Sequence, residues 1–203
     1  MFILMLVVNF AISWFNAHSV GKYWSESKEI GGSVRVSVVV GYIMSIIGFT
    51  MVYGCLLLLA FPYVAPLIPA LSDIDTTQIM QLTSDLLFLL VGTAIVPLGI
   101  FIWFQSAVTF WKRKSLTNGA VFGWNTFAQV RNTITYARNA PSAVGRIAET
   151  LFGGKGKKKK GNEVLILVAI FIIILAILGG YFTSSAILKK ADREFDALEG
   201  FQS

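Results

Sequence analysis

Apolar residues gather into four runs along the chain: Met1 to Phe15, Val36 to Ala60, Leu86 to Phe110 and Val164 to Ile187. About 20 apolar residues at 1.5 Å rise cross the ~30 Å hydrocarbon of a bilayer, so runs of this length predict membrane-crossing helices. The apolar–polar alternation of a membrane β-strand is absent from them. The first run is short, and continuing it through Asn16 to Val20 brings it to the length a crossing needs. The predicted fold class is all-α: a polytopic membrane protein with four transmembrane helices, at about 1–20, 36–60, 86–110 and 164–187.

The polar positions between the runs predict how the helices start and stop. Lys22 to Ile30 continues the first helix beyond the membrane, with Lys22 and Glu26 four residues apart as an ion pair. Gly31-Gly32 ends it, because glycine takes the left-handed conformation that closes helices. Phe61 to Leu71 is apolar but holds Pro62, Pro66 and Pro69, and three prolines at that spacing predict an irregular interfacial segment. A polar connector with Asp73, Asp75 and Asp85 follows, in which Thr83-Ser84-Asp85 would cap the third helix. Pro97 predicts a kink in that helix, and Trp103 and Trp111 mark its interfacial end. Residues 189–203 carry mixed charge and predict a short surface helix.

The loop between the third and fourth runs has a different pattern. Trp124, Phe127, Val130, Ile134 and Ala137 recur at three- and four-residue steps, with Arg131 and Arg138 largely off that stripe. This spacing predicts an amphipathic helix that Pro141 ends. A second, shorter one follows, with Val144, Ile147, Ala148 and Leu151 on one face and Gly153-Gly154 at its close. Such interfacial helices lie on the membrane with the apolar face down, or pack that face on another subunit.

Charge decides the orientation. Of 17 Lys and Arg residues, 11 lie between Lys112 and Glu163, whereas residues 61–85 hold none. Connector one carries Lys22, Lys28 and Arg35. Basic loops stay in the cytoplasm, which puts connectors one and three there and both termini outside. Lys189, Lys190 and Arg193 of the tail oppose that arrangement, and its four acids do not relieve the conflict, because acids count little in this rule. Three regions result: a three-span membrane region (1–110), a basic amphipathic cytoplasmic loop (111–163), and the fourth span with a short polar tail (164–203). Composition agrees, with 55% hydrophobic and 14% charged residues, against about 25% charged in a soluble domain.

The loop also carries the candidate binding residues. Trp124, Phe127, Arg131, Ile134 and Arg138 would meet lipid or a partner protein on a platform from Phe122 to Phe152. Lys157, Lys158, Lys159 and Lys160 form a cationic tether that anionic headgroups attract by ~1 kcal/mol per lysine. Nucleic acid would attract the same charges and is possible but not favoured, since no base-reading motif accompanies them. Small residues four apart, Ser37, Gly41 and Ser45 with Gly48 on the second helix and Ala176, Gly180 and Ser184 on the fourth, predict close helix packing or contact between copies.

Candidate chemistry is sparse. With one cysteine, Cys55, and one histidine, His18, the chain offers no disulfide or Cys/His metal cluster of its own. The aspartates match no Ca²⁺ loop. No acid or histidine lies within the second, third or fourth run, which disfavours a coupled transporter, and Asn9 is expected to bond between helices. The expectation is a non-enzyme without cofactor or metal.

Two stretches, Gly21 to Gly32 with Gly48-Phe-Thr50, and Gly123 to Gln129, resemble segments of small polytopic membrane proteins of bacterial phages and mobile elements. The resemblance covers about an eighth of the chain. It implies a bacterial inner membrane and an accessory or assembly role. The expected function is a structural or interaction subunit of a larger membrane assembly, with lipid headgroups, other membrane proteins or further copies of itself as partners. The alternative is an oligomeric pore, channel-like or a phage lysis component.

Overall fold

The computed structural model describes residues 2–71, 75–152 and 159–199, and every regular element in them is helical. In chain order these are α1 (Phe2–Lys22), α2 (Trp24–Ile30), α3 (Gly32–Val64), two 3₁₀ turns (Ala65–Leu67 and Pro69–Leu71), α4 (Thr76–Lys112), α5 (Leu116–Phe152) and α6 (Lys159–Glu199). Among the described residues three stretches are long and apolar enough to cross a membrane: Gly32–Leu67, Thr76–Lys112 and Glu163–Ala197. The chain therefore has the character of a helical membrane protein.

Several helix ends depart from the apolar runs. Gly31 (φ +66°) and Gly32 (φ +55°) separate α2 from α3, as glycines in the left-handed region do. α1 already stops at Lys22, however, and Tyr23 breaks the register, so Lys22 and Glu26 form no ion pair. α3 runs through Pro62 to Val64, which apolar packing permits at the loss of one backbone bond. Pro66 and Pro69 instead sit at the starts of the 3₁₀ turns, where a missing N–H costs nothing.

α4 starts at Thr76, well before its apolar run. Asp75 caps it, accepting the backbone N–H of Thr77 (2.9 Å) and Gln78 (3.4 Å). The expected cap at Thr83-Ser84-Asp85 lies inside the helix, because burial of Ile79 and Leu82 draws the polar stretch into it. The tail is no separate surface helix either, since α6 continues unbroken to Glu199. Asp192 near its end accepts hydrogen bonds from the backbone N–H (3.1 Å) and hydroxyl (3.2 Å) of Ser25.

The chain forms two compact units, residues 1–80 with 167–203, and residues 81–166. In the first, α1 and α6 both pack on α3. The predicted small residues make that packing possible. A Cβ on Gly41 would strike Val20, one on Gly48 would overlap Ser13, and one on Gly180 would come within 2.8 Å of the Ile46 carbonyl oxygen. Ala176, Ser45 and Ser184 are fully buried. The Ser45 and Ser184 hydroxyls bond to each other, Tyr42 bonds Ser185 (2.6 Å) and Tyr53 bonds Thr183 (2.7 Å). Ser37 turns its hydroxyl onto the Ser33 carbonyl at 2.7 Å. Asn9 makes no interhelical bond among the described residues; it is exposed, and its carbonyl accepts the Ser13 hydroxyl.

These contacts run in order along the bundle. Residues 42–53 of α3 meet residues 180–185 of α6, and Leu57 to Leu71 share an apolar cavity of about 540 Å³ with Leu167 to Leu175. α6 is thus antiparallel to α3 and begins at the end where α3 finishes. At the opposite end Arg35 stacks on Trp24 (4.1 Å) and bonds its carbonyl (3.2 Å) and the Ser27 hydroxyl (3.1 Å), fastening α2 to α3.

Candidate functional site

The second unit is a hairpin of two long helices, and its seam can be read residue by residue. On α4 the positions Asp85, Gly92, Gly99 and Ser106 are seven apart. On α5 the positions Phe122, Gln129, Tyr136 and Ala143 are also seven apart. A seven-residue repeat keeps one face of a helix against its neighbour. The two sets meet head to tail: Phe110 stacks on Phe122 (centroids 5.9 Å apart), and Trp103 Nε1 donates to Thr126 Oγ1 (3.0 Å). Gln129 Nε2 donates to the Val96 carbonyl (3.0 Å), Thr93 bonds the Tyr136 hydroxyl (2.7 Å), and Arg146 holds Asp85. α5 is therefore antiparallel to α4 over nearly its whole length.

This corrects the expected pair of short amphipathic helices. α5 is one helix of 37 residues that runs through Pro141. Contacts on either side of Pro141, at Tyr136 and Arg146, tie both halves to α4, while the proline itself is exposed and forfeits a single backbone bond. The glycines admit this closeness: a side chain at Gly92 would overlap the Tyr136 ring, and one at Gly99 the Gln129 amide.

The far end of the hairpin is pinned by charge. The Arg146 guanidinium grips Asp85 with Nε on Oδ2 (2.8 Å) and NH2 on Oδ1 (2.6 Å), and Gln81 adds a bond to Oδ2 (3.1 Å). The Asp85 side chain is only 6% exposed. Removing one partner leaves a desolvated charge, whereas removing both does not. Arg146→Leu is therefore expected to lower the melting temperature in detergent clearly more than Asp85→Leu/Arg146→Leu together. Equal losses would show that the pair does not pin the hairpin.

The predicted binding residues fall on the surface that α4 leaves free. Trp124, Phe127 and Ile134 are 67%, 58% and 61% exposed, and Arg131 and Arg138 are exposed beside them. A groove of about 380 Å³ runs along one flank, between Ile100 and Trp103 of α4 and Val130 and Ile134 of α5. Lys157 and Lys158 lie outside the described residues, and Lys159 and Lys160 fall in the first turn of α6. The structure joins the small residues of α3 and α6 in the first unit and the α5 residues in the second.

His18 stacks on Trp14 (centroids 5.0 Å, interplanar angle 5°), and among the described residues no group of three His, Cys, Asp or Glu is placed to hold a metal. Sequence reasoning missed the α4–α5 seam. Its signal was present in the seven-residue recurrence of Gly92 and Gly99 opposite Gln129 and Tyr136, which is lost when apolar residues alone are followed. No protein-family model matches the chain, and no curated protein or solved structure matches it.

Proposed function

We propose that this chain is a structural and interaction subunit of a larger membrane assembly, and that α5 is the surface it offers to partners. One observation carries the reading: α4 fills the inner face of α5, while Trp124, Phe127, Ile134, Arg131 and Arg138 stand exposed on its outer surface, Trp124 and Phe127 against each other. A bacterial inner membrane, with the first long apolar helix α1 among its crossings, is the setting proposed for it.

The helix directions argue for five crossings, α1, α3, α4, α5 and α6, in place of four. α6 begins where α3 finishes. Residues 153–158 join α5 to α6, and an extended link of that length reaches about 25 Å, short of the ~40–45 Å of a whole bilayer. α5 must then finish on the side where α6 starts, which is also the side where α3 ends and α4 starts. Since α5 lies antiparallel along α4, it crosses back wherever α4 crosses, and it does not lie flat on the surface. At 1.5 Å per residue it is about 55 Å long, ample for a crossing.

One consequence supports this arrangement, and two oppose it. The tail joins connectors one and 112–115 on one side, which removes the conflict of Lys189, Lys190 and Arg193 with the orientation rule. Arg131 and Arg138 come to lie near the depth of Val96 and Thr93, where a guanidinium facing lipid costs about 3 kcal/mol or more, so that face requires protein or water. Also against it, the lysines at 155 and 157–160 fall across the membrane from the other basic loops.

Single cysteines at Ser115 and Gly156, in a Cys55→Ala background, test the count with an impermeant thiol reagent on intact cells. Five crossings put them on opposite sides; labelling from the same side restores the four-span arrangement. A photo-crosslinker at Trp124 or Arg131 tests the function itself, and capture of lipid alone at both positions overturns it. Arg131 and Arg138 at bilayer depth also favour a second reading, an anion-conducting oligomeric pore. Conductance in planar bilayers that Arg131→Leu abolishes would select it.

A further inference from the structure

We propose that α5 pairs with α5 of a second copy of this chain through a ladder of asparagines. Asn118, Asn125, Asn132 and Asn139 recur every seven residues along it. Seven residues fall only about 20° short of two turns, so the four form a single slowly drifting stripe. It runs along one flank, between the residues that meet α4 and the side bearing Arg131 and Arg138. The ends of the ladder have local partners: Asn118 Nδ2 donates to the Arg113 carbonyl (2.7 Å), and Asn139 Nδ2 to the Thr135 carbonyl (2.9 Å). The amides of Asn125 and Asn132 have no partner among the described residues.

The inference rests on the reading that α5 crosses the membrane. In hydrocarbon an unpaired amide has no water to replace its lost hydrogen bonds, so lipid is a poor occupant of this flank. An amide carries donors and an acceptor together and is therefore its own complement. Two copies inserted in the same sense place each residue at the same depth as its counterpart. A two-fold axis along the membrane normal then sets Asn125 against Asn125 and Asn132 against Asn132. Seven residues is also the period of a left-handed coiled coil, in which an asparagine on the seam fixes register and stoichiometry. α4 and α5 already pack on that period inside the hairpin, and helices packed on a seven-residue period keep such a ladder on one side.

The chemistry thus selects a second copy, in parallel, at a defined register. Such amide pairs across membrane helices are individually weak; Asn139, whose local bond uses one N–H and leaves its amide oxygen and second N–H, adds a third pair to those at Asn125 and Asn132, and the three together strengthen association by roughly twenty- to a hundredfold.

Disulfide formation between copies reads the register directly. In full-length protein lacking Cys55, single cysteines replace Asn125, Asn132 or Asn139, and for comparison Phe127 or Ile134, and the membranes are oxidised. The ladder positions are expected to form symmetric dimers in high yield and the comparison positions to form few. Asn125→Leu/Asn132→Leu/Asn139→Leu is expected to shift the protein towards monomer in mild detergent by the factor above, with Asn132→Gln keeping most of the association. Equal crosslinking at all five positions, or none at any, overturns the pairing, because an occupant from the same chain or from another protein gives no symmetric disulfide. The labels at Ser115 and Gly156 keep the two failures apart. If those two fall on opposite sides while the ladder fails to crosslink, α5 crosses but does not pair with itself. If they fall on the same side, the crossing fails first.

Discussion

Gly180→Ala is expected to destabilise the first unit by about 3 kcal/mol, the upper end of what overpacking costs. The added Cβ would lie 2.8 Å from the Ile46 carbonyl oxygen and 2.8 Å from the Thr50 backbone nitrogen. Both atoms belong to the α3 backbone, which cannot turn aside as a side chain can. Relief requires α6 to move away from α3, and that movement separates Ser45 from Ser184 and Tyr42 from Ser185. Ser45 would keep only its bond to the Tyr42 carbonyl (2.7 Å), and the hydroxyl pairs between the helices would be lost, so two costs add. Gly179→Ala is the control, because its nearest neighbour is the Tyr53 ring at 3.0 Å, a side chain able to tilt. Thermal unfolding in detergent, followed by helical circular dichroism, should show a large fall for the first variant and a small one for the second. Equal falls would mean that the α3–α6 approach is looser than described.

Gly92→Leu is expected to have the next largest effect, confined to the hairpin. Even its Cβ would overlap the Tyr136 ring, and the rest of a leucine has no room between the helices. The ring cannot leave easily. Its hydroxyl bonds Thr93, and Phe88 packs on it at 5.7 Å between centroids. α5 should therefore lift from α4 around Tyr136, at about 1–3 kcal/mol. Trypsin reports this well, because Arg131, Arg138 and Arg146 all lie on α5, and a helix held against α4 resists entry into a protease cleft. The variant is expected to be cut at Arg131 and Arg138 in detergent under conditions that leave the parent intact. Gly145→Ala should behave oppositely. No atom lies within 4 Å of the added Cβ, and alanine favours the helix over glycine by about 0.5–1 kcal/mol. Unchanged trypsin sensitivity in Gly92→Leu would show that the glycine seam does not hold the hairpin.

The two halves of the fold were unequally legible. The long apolar runs announced α3, α4 and α6, because a helix in lipid must be apolar nearly all round and leaves a trace no other element imitates. The small-residue faces of α3 and α6 were equally plain as a pattern; in the structure Ser45 bonds Ser184, and Gly180 lies against Ile46 and Thr50. α5 was read only in part. Trp124, Phe127 and Ile134 are exposed, but the inner face is built from Phe122, Thr126, Gln129 and Tyr136, a mixture that hydrophobic periodicity passes over. Pro141 misled for a related reason. A proline disfavours a helix locally, but contacts at Tyr136 and Arg146 outweigh the one bond it forfeits. Asp85, placed in a connector by its charge, is buried because an arginine 61 residues away comes to it.

By itself, then, the sequence determined that the chain is helical, that the stretches of α3, α4 and α6 are apolar enough to cross a membrane, and that its charge is concentrated in one region. Those properties are local, set by the residues within one or two turns and by the solvent each must face. Tertiary structure alone decided that α6 runs against α3, that α5 folds back along α4, and that Asp85 belongs to Arg146. Each depends on which distant segment arrives as a neighbour. A helix of middling polarity such as α5 suits a membrane surface and a protein flank equally well until its partner is in place.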